Sequence, residues 1–272
     1  MKREQLAINS ISTKGDFEEV LDAYAAAGFL NVEFYLGHVK EYLKAGHSPA
    51  DVRALLDARG QQCIGGFEGG VEIVGEEEAL RSNHAYIVEN ARLLGELGGR
   101  VLVVGIGGGN LLELDDAAGH IAAIFSQLSQ QIEGTGVQLA IEFNWGPVKS
   151  LPLAVEIARR SGAANVGVLF DPAHYHCTPT KFEDLNAKNV PFIKHVHVDD
   201  MNGKSPELSN CNSDRALPEQ GVLDLRAIYG AIEQHGYNGY FSIEMFSDEL
   251  WGLPAHDAAR QMYESLLALC DD

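Results

Sequence analysis

The chain is predicted to be a single α/β domain over residues 1–272, a (β/α)8 barrel of the TIM type. Three observations predict it. Apolar runs with strand character recur along the whole sequence, segments of helical periodicity separate them, and four of the runs in the second half end in a side chain able to ligate a metal. A chain of 272 residues also suits this architecture, since such barrels typically run to roughly 250 residues as one domain. The competing doubly wound open sheet would need fewer strands and a switch-point crevice.

Strands are expected at residues 6–10, 32–35, 62–67, 100–105, 137–143, 166–171, 192–198 and 240–245. Helices are expected near 16–28, 48–59, 78–97, 115–133, 149–161, 181–188, 224–235 and 255–270. Asp16, Ser48 and Asp224 stand where N-caps belong, and Gly28 and Gly236 where left-handed C-caps belong. Residues 199–221 form a long polar stretch, which in a compact domain reads as a lid or binding loop. In a barrel it falls on the face that carries active sites. The glycine-rich run beginning at Gly105 lacks the last glycine of the dinucleotide fingerprint, so a close-packed loop is preferred there.

Composition removes several functions. Asp and Glu number 39 against 20 Lys and Arg, a formal net charge of −19. Such a chain repels phosphate backbones and anionic lipid, so neither nucleic acid nor a membrane is an expected partner. The four cysteines show no CxxC spacing, no signal-peptide core follows Met1, and no apolar run is long enough to span a bilayer; a cytoplasmic protein with free thiols is predicted. Alanine-rich outer helices are compatible with a homodimer or homotetramer.

The four ligand-bearing runs are Ala-Ile-Glu142, Leu-Phe-Asp171, His-Val-His197 and Ser-Ile-Glu244. Side chains two apart on a strand share a face. Glu142 therefore lies with Gln138 and Ala140, Asp171 with Gly167 and Leu169, His197 with His195, and Glu244 with Tyr240 and Ser242. The opposite set (Leu139, Ile141, Val168, Phe170, Val196, Val198, Phe241, Ile243) is uniformly bulky and apolar, as packing against an outer helix ring requires. The four ligands thus form the top layer of the barrel interior. Three carboxylates at one rim repel strongly unless a cation sits among them. An oxygen-rich set with one imidazole suits one divalent ion, Mn²⁺, Mg²⁺ or Co²⁺, with Zn²⁺ also admissible.

Around this quartet, His174 reaches the same rim from the turn after residue 171, and Arg215 in the long loop is placed to fold over the mouth. Phe67 and Trp145, at or just past strand ends, would supply apolar walls for a substrate. His195 is read as a satisfied interior histidine one layer below the metal. Lys194 has the wrong parity for a Schiff-base role.

The segments Ala-Ile-Glu142-Phe-Asn, Phe-Asp171-Pro-Ala-His174, His195-Val-His197-Val-Asp-Asp200, Asp214-Arg215-Ala-Leu-Pro-Glu-Gln-Gly221 and Ile243-Glu244 together resemble the xylose isomerase-like barrels. That group includes sugar epimerases and isomerases of the D-tagatose 3-epimerase type, inosose dehydratases, hydroxypyruvate isomerases and endonuclease IV-like repair enzymes. The resemblance implies that Glu142, Asp171, His197 and Glu244 hold one divalent ion. It implies that Glu142 and Glu244 also act as the acid/base pair, and that His174 and Arg215 contact the substrate carbonyl. The activity so implied is isomerisation or epimerisation of a keto-sugar or related polyhydroxy ketone, by proton transfer through a metal-stabilised enediolate. The alternative is a metal-dependent lyase that dehydrates a keto-cyclitol of the inosose type with the same residues. The chain departs from the repair enzymes, which need extra histidines: its third strand ends in Gly-Gly-Phe67-Glu68-Gly, its fourth in glycines, and Arg215-Ala216 stands where the loop histidine is expected. It departs from the epimerases at Val148, where they carry a glutamate, and at Glu219, where the loop pattern Pro-Gly-x-Gly has its first glycine.

Overall fold

A computed structural model describes residues 1–107, 111, 114–144 and 146–270. Its centre is a closed ring of parallel strands in the order β1-β10-β7-β6-β5-β4-β3-β2. These are β1 (Leu6–Asn9), β2 (Asn31–Tyr35), β3 (Gln62–Glu72), β4 (Val101–Gly107), β5 (Gln138–Glu142), β6 (Val166–Phe170), β7 (Ile193–Val198) and β10 (Phe241–Ile243). β1 pairs with β10 through Leu6–Phe241 and with β2 through Ala7–Asn31, so no edge is left open.

Outside the ring lie α1 (Phe17–Ala27), α2 (Leu36–Lys44), α3 (Pro49–Ala58), α4 (Glu77–Glu96), α5 (Ala117–Gln131), α6 (Leu151–Ser161), α8 (Leu225–Gln234) and α10 (Ala255–Leu267). The expected caps are in place. Asp16 accepts from the Glu18 amide, Ser48 forms a capping box with Asp51, and Asp224 accepts from the Ala227 amide.

The strand faces divide as alternation predicts. Leu102, Val104, Leu139, Ile141, Val168, Phe170, Val196, Val198, Phe241 and Ile243 join the large core between sheet and helices. Val101, Val103, Ala140 and Leu169 form a separate small cluster inside the barrel, with Phe67 packed on it. Above that plug the interior turns polar.

Three features differ from expectation. The segment 181–188 is not an α-helix: it holds a 3-10 turn at Phe182–Asp184, and the helix after β6 is instead the short α7 (Pro172–Cys177). β3 runs on past Phe67 to Glu72 through an irregularity in its pairing with β4, and α2 follows β2 directly. The stretch 199–221, expected as a lid or binding loop, has internal structure that the sequence did not specify. Its ends pair as a short antiparallel ribbon, β8 (Asp200–Met201) with β9 (Arg215–Ala216). Asp200 accepts hydrogen bonds from the amides of Gly221 and Leu223 and so latches the far end. Glu219, standing where the resembling family has glycine, takes a left-handed φ of 68°. α9 (Asp248–Trp251) follows β10.

Candidate active site

At the C-terminal strand ends the four nominated ligands come to one rim, and three of them converge closely. Suitable atoms of Asp171, His197 and Glu244 lie within 4.8 Å of one another, all buried. His197 Nδ1 is 3.2 Å from Asp171 Oδ2 and 3.3 Å from Glu244 Oε2. Glu142 is turned toward the neighbouring His174, whose Nε2 is 3.2 Å from Glu142 Oε1. A cavity of about 170 Å³ opens over this rim, and Glu142, His174, His197, Arg215, Glu244 and Phe67 all line it. Val103 and Phe246 complete an apolar wall, and Asn144 and Asn212 a polar one. Trp145 lies outside the described residues.

Local sequence explains the placement. Asp171 ends β6 and is at once the N-cap of α7, with Oδ1 accepting the His174 amide at 2.9 Å and Pro172 setting the first turn. Its Oδ2 is left for His197. The same turn carries His174 back over the mouth. Arg215 enters from β9. Its Nε donates to the Cys211 carbonyl at 2.8 Å, and its NH1 to the Glu244 carbonyl at 2.8 Å and to Glu244 Oε2 at 3.0 Å. NH2 donates to Asp171 Oδ2 at 3.1 Å, and Asp199 Oδ2 lies 2.7 Å from NH1. The guanidinium also sits over the Phe246 ring. Arg215 is therefore a buried counter-charge inside the carboxylate cluster as well as part of the cavity wall.

Several participants carry no sequence motif. Glu33 on β2 is fully buried and receives His195 Nε2 at 2.9 Å and His197 Nε2 at 3.2 Å. Asn9 on β1 donates to Glu244 Oε1 at 3.0 Å. Asp199, next but one to His197, is wholly buried beside Arg215. One signal was available for Glu33: it has inward parity on a strand whose Val32 and Phe34 belong to the outer core. His195 is the satisfied interior histidine the sequence suggests.

Electrostatics follow from these contacts. Burial by itself would raise the Glu33 carboxyl, but His195 and His197 reverse this and hold it well below the usual carboxylate range. Burial and Arg215 oppose each other at Asp171, where the guanidinium, helped by His174 and His197, holds the carboxyl well below its ordinary range. Glu142 is likewise drawn down, burial being outweighed by His174. Both His174 and His197 are pulled well above the ordinary imidazole range against the effect of burial, His174 by Asp171 and Glu142, His197 by Glu244 and Glu33. Asp199 goes the other way: burial pushes it well up, opposed by Arg215 and reinforced by Asp171.

The donor set fits a divalent ion. Glu33 accepts only, so a proton on His197 must face it from Nε2. The remaining ring nitrogen, once its proton gives way to an ion, would meet Asp171 Oδ2 and Glu244 Oε2 at one point. Carboxylate oxygens with one imidazole are the chemistry of Mn²⁺, Mg²⁺, Co²⁺ or Zn²⁺ sites.

Comparison with known proteins agrees with this architecture. An inosose isomerase of Bacillus velezensis is 31% identical over 151 residues, 54% of this chain and 54% of that protein. A 3-dehydroshikimate dehydratase of Pseudomonas aeruginosa is 29% identical over 278 residues, 97% of this chain but 42% of that protein. The chain thus spans about half the length of these relatives. A crystal structure described as IOLI protein with a bound zinc atom superposes with a TM-score of 0.86 at 22% identity, covering 97% of both chains. The family model for xylose isomerase-like TIM barrels matches residues 21–269, nearly the whole ring and its helices, and the chain belongs to that family.

Proposed function

We propose that this chain is a metal-dependent isomerase or epimerase of a keto-sugar or related polyhydroxy ketone, a single catalytic barrel with its active site at the C-terminal strand ends. The observation that carries the proposal is that Glu142 and Glu244 line one small cavity together with His174, His197 and Arg215. Asp171, His197, Glu244 and Glu142 would hold the ion, with Mn²⁺ favoured by the oxygen-rich set. When bound, it supplies Lewis-acid stabilisation of the negative charge that develops on substrate oxygens.

Within that frame the side chains divide the work. Glu142 is ionised at neutral pH and is oriented by His174 Nε2 and, at 3.4 Å, by Asn144 Nδ2; it takes the proton from the carbon beside the carbonyl. Glu244, fixed by Asn9 and Arg215, exchanges a proton with the neighbouring carbon or the opposite face. His174, kept protonated by its carboxylate neighbours, donates to the carbonyl oxygen. Phe67 and Phe246 exclude water and cover the less polar face of the substrate.

Cavity chemistry favours a neutral substrate. Among the described lining residues Arg215 is the one basic side chain besides the histidines, and its N–H groups already engage Cys211, Glu244, Asp171 and Asp199. Residues 108–110, 112, 113 and 145 are Gly, Gly, Asn, Leu, Glu and Trp, none of them basic. A carboxylate or phosphate would find no uncompensated positive charge, whereas hydroxyl groups find amides and carboxylates. The second reading is a lyase that expels a β-hydroxyl after the same proton abstraction. The dehydratases among the relatives, alignable over nearly the whole of this chain, support keeping it.

The test is solvent deuterium incorporation, followed by NMR, with Mn²⁺-loaded protein and ketohexoses, inososes, hydroxypyruvate and 3-dehydroshikimate. α-Proton exchange is expected with a neutral polyhydroxy ketone and not with the two carboxylates. Exchange with a product isomeric with the substrate, apart from the deuterium gained, supports the isomerase, and loss of water the lyase. Glu244→Gln should abolish net conversion, and full wild-type turnover in that variant would remove Glu244 from acid/base duty.

A further inference from the structure

We infer that Glu33 is a positioning residue of the metal centre, locking the His197 ring so that Nδ1 is the ligating nitrogen. Three observations carry it. Glu33 sits on β2, across the barrel from strands β5, β6, β7 and β10 that bear the nominated ligands, yet its carboxylate meets the His197 ring edge opposite the Asp171–Glu244 pair. Its two oxygens are divided between two imidazoles, Oε1 facing His197 Nε2 and Oε2 facing His195 Nε2. It is completely buried in the barrel interior, so the carboxylate is out of reach of solvent.

The consequence follows from donor and acceptor rules. An ionised carboxylate accepts only, so both nitrogens pointing at Glu33 carry hydrogen. With the Nε2 hydrogen held by Glu33, Nδ1 is the nitrogen that gives up its proton when an ion binds, and it faces Asp171 Oδ2 and Glu244 Oε2. The free imidazole would divide its population between two tautomers, and one of them aims an N–H at the ion. A carboxylate behind the ring removes the wrong tautomer, fixes the ring plane and strengthens the nitrogen as a donor. His195 serves the same end one layer lower: by holding Oε2 it stops Glu33 from turning its other oxygen away from His197.

The experiment is the Mn²⁺ affinity of Glu33→Gln by titration calorimetry, on protein whose fold is checked by circular dichroism. The amide offers a donor where an acceptor is needed, and affinity should fall about 10- to 100-fold. The second measurement uses unaltered protein loaded with diamagnetic Zn²⁺: long-range ¹H–¹⁵N NMR of the imidazoles should find His197 keeping its hydrogen on Nε2, with Nδ1 bound to the ion. A purely structural role would lower the melting temperature without changing the ligating nitrogen or the affinity of the folded fraction. Wild-type affinity in folded Glu33→Gln, or a His197 ring that keeps its hydrogen on Nδ1 in the Zn²⁺-loaded protein, overturns the inference. Should the variant not fold, the tautomer of the unaltered protein decides alone.

Discussion

Arg215 is a buried cation set among three carboxyl groups. Its side chain has no exposure, and its guanidinium lies within ion-pair distance of Asp171, Asp199 and Glu244 at once. Removing one partner of a buried charged group typically costs about 3–5 kcal/mol, because the other charges are left without compensation. Arg215→Met is therefore expected to lose about that much stability in urea unfolding of the metal-free protein. Saturating Mn²⁺ should restore part of the loss, since an ion re-neutralises Asp171 and Glu244 but does not replace the hydrogen bonds Arg215 makes to the Cys211 and Glu244 carbonyls. A loss below 1 kcal/mol without metal would contradict the role. Residue types at the rim were legible in the sequence because strand parity separates inward from outward positions. Glu33, Asn9 and Asp199 carry no motif: parity turns Glu33 inward without naming its partners, Asn9 meets Glu244 from the far end of the chain, and Asp199 faces an arginine that only the folded loop brings back.

The long loop is built around a few tight contacts. Asp214 receives the amide of Asn210 and the side chains of Asn202 and Lys204, which folds the middle of the loop on itself. Gly221 closes it: a Cβ there would lie 2.2 Å from Asp200 Oδ1 and 2.4 Å from the Met201 carbonyl. Gly221→Ala should thus break the latch while leaving the barrel intact. Limited proteolysis is the check, with new cleavage expected within residues 202–220 and little change in the melting temperature; a protease-resistant variant would count against the latch. Elements with strong periodicity or caps were readable in advance, as α1, α3 and α8 illustrate. α7 was missed although Asp171-Pro172 is a start signal, because six residues are too few to display a helical period. α2 begins on Tyr35 without a side-chain cap, which removes the usual marker.

Across the whole molecule, the ion and the ring should stabilise each other. Anything that binds only the folded state adds RT ln(1 + [L]/Kd), about 2.7 kcal/mol at a hundredfold excess over Kd. For a chain of this size each kcal/mol moves the melting temperature by roughly 2–4 °C. Mn²⁺ should therefore raise a single cooperative transition by about 5–10 °C, and a chelator should reverse it. Two separate transitions, of which only one responds to metal, would show that the second half of the ring folds independently of the first.

The seam where β1 meets β10 gives this coupling a further meaning. Asn9 and Glu33 stand on one side of that seam, while the groups they orient, Glu244 and His197, are supplied from the other. A half-assembled cylinder would own most of the coordinating atoms yet aim them badly, and would hold an ion only weakly. On the proposed function, capture of the ion would be a test of closure: tight loading would report that the cylinder has sealed, and a chain that fails to seal would stay silent instead of running loose carbonyl chemistry.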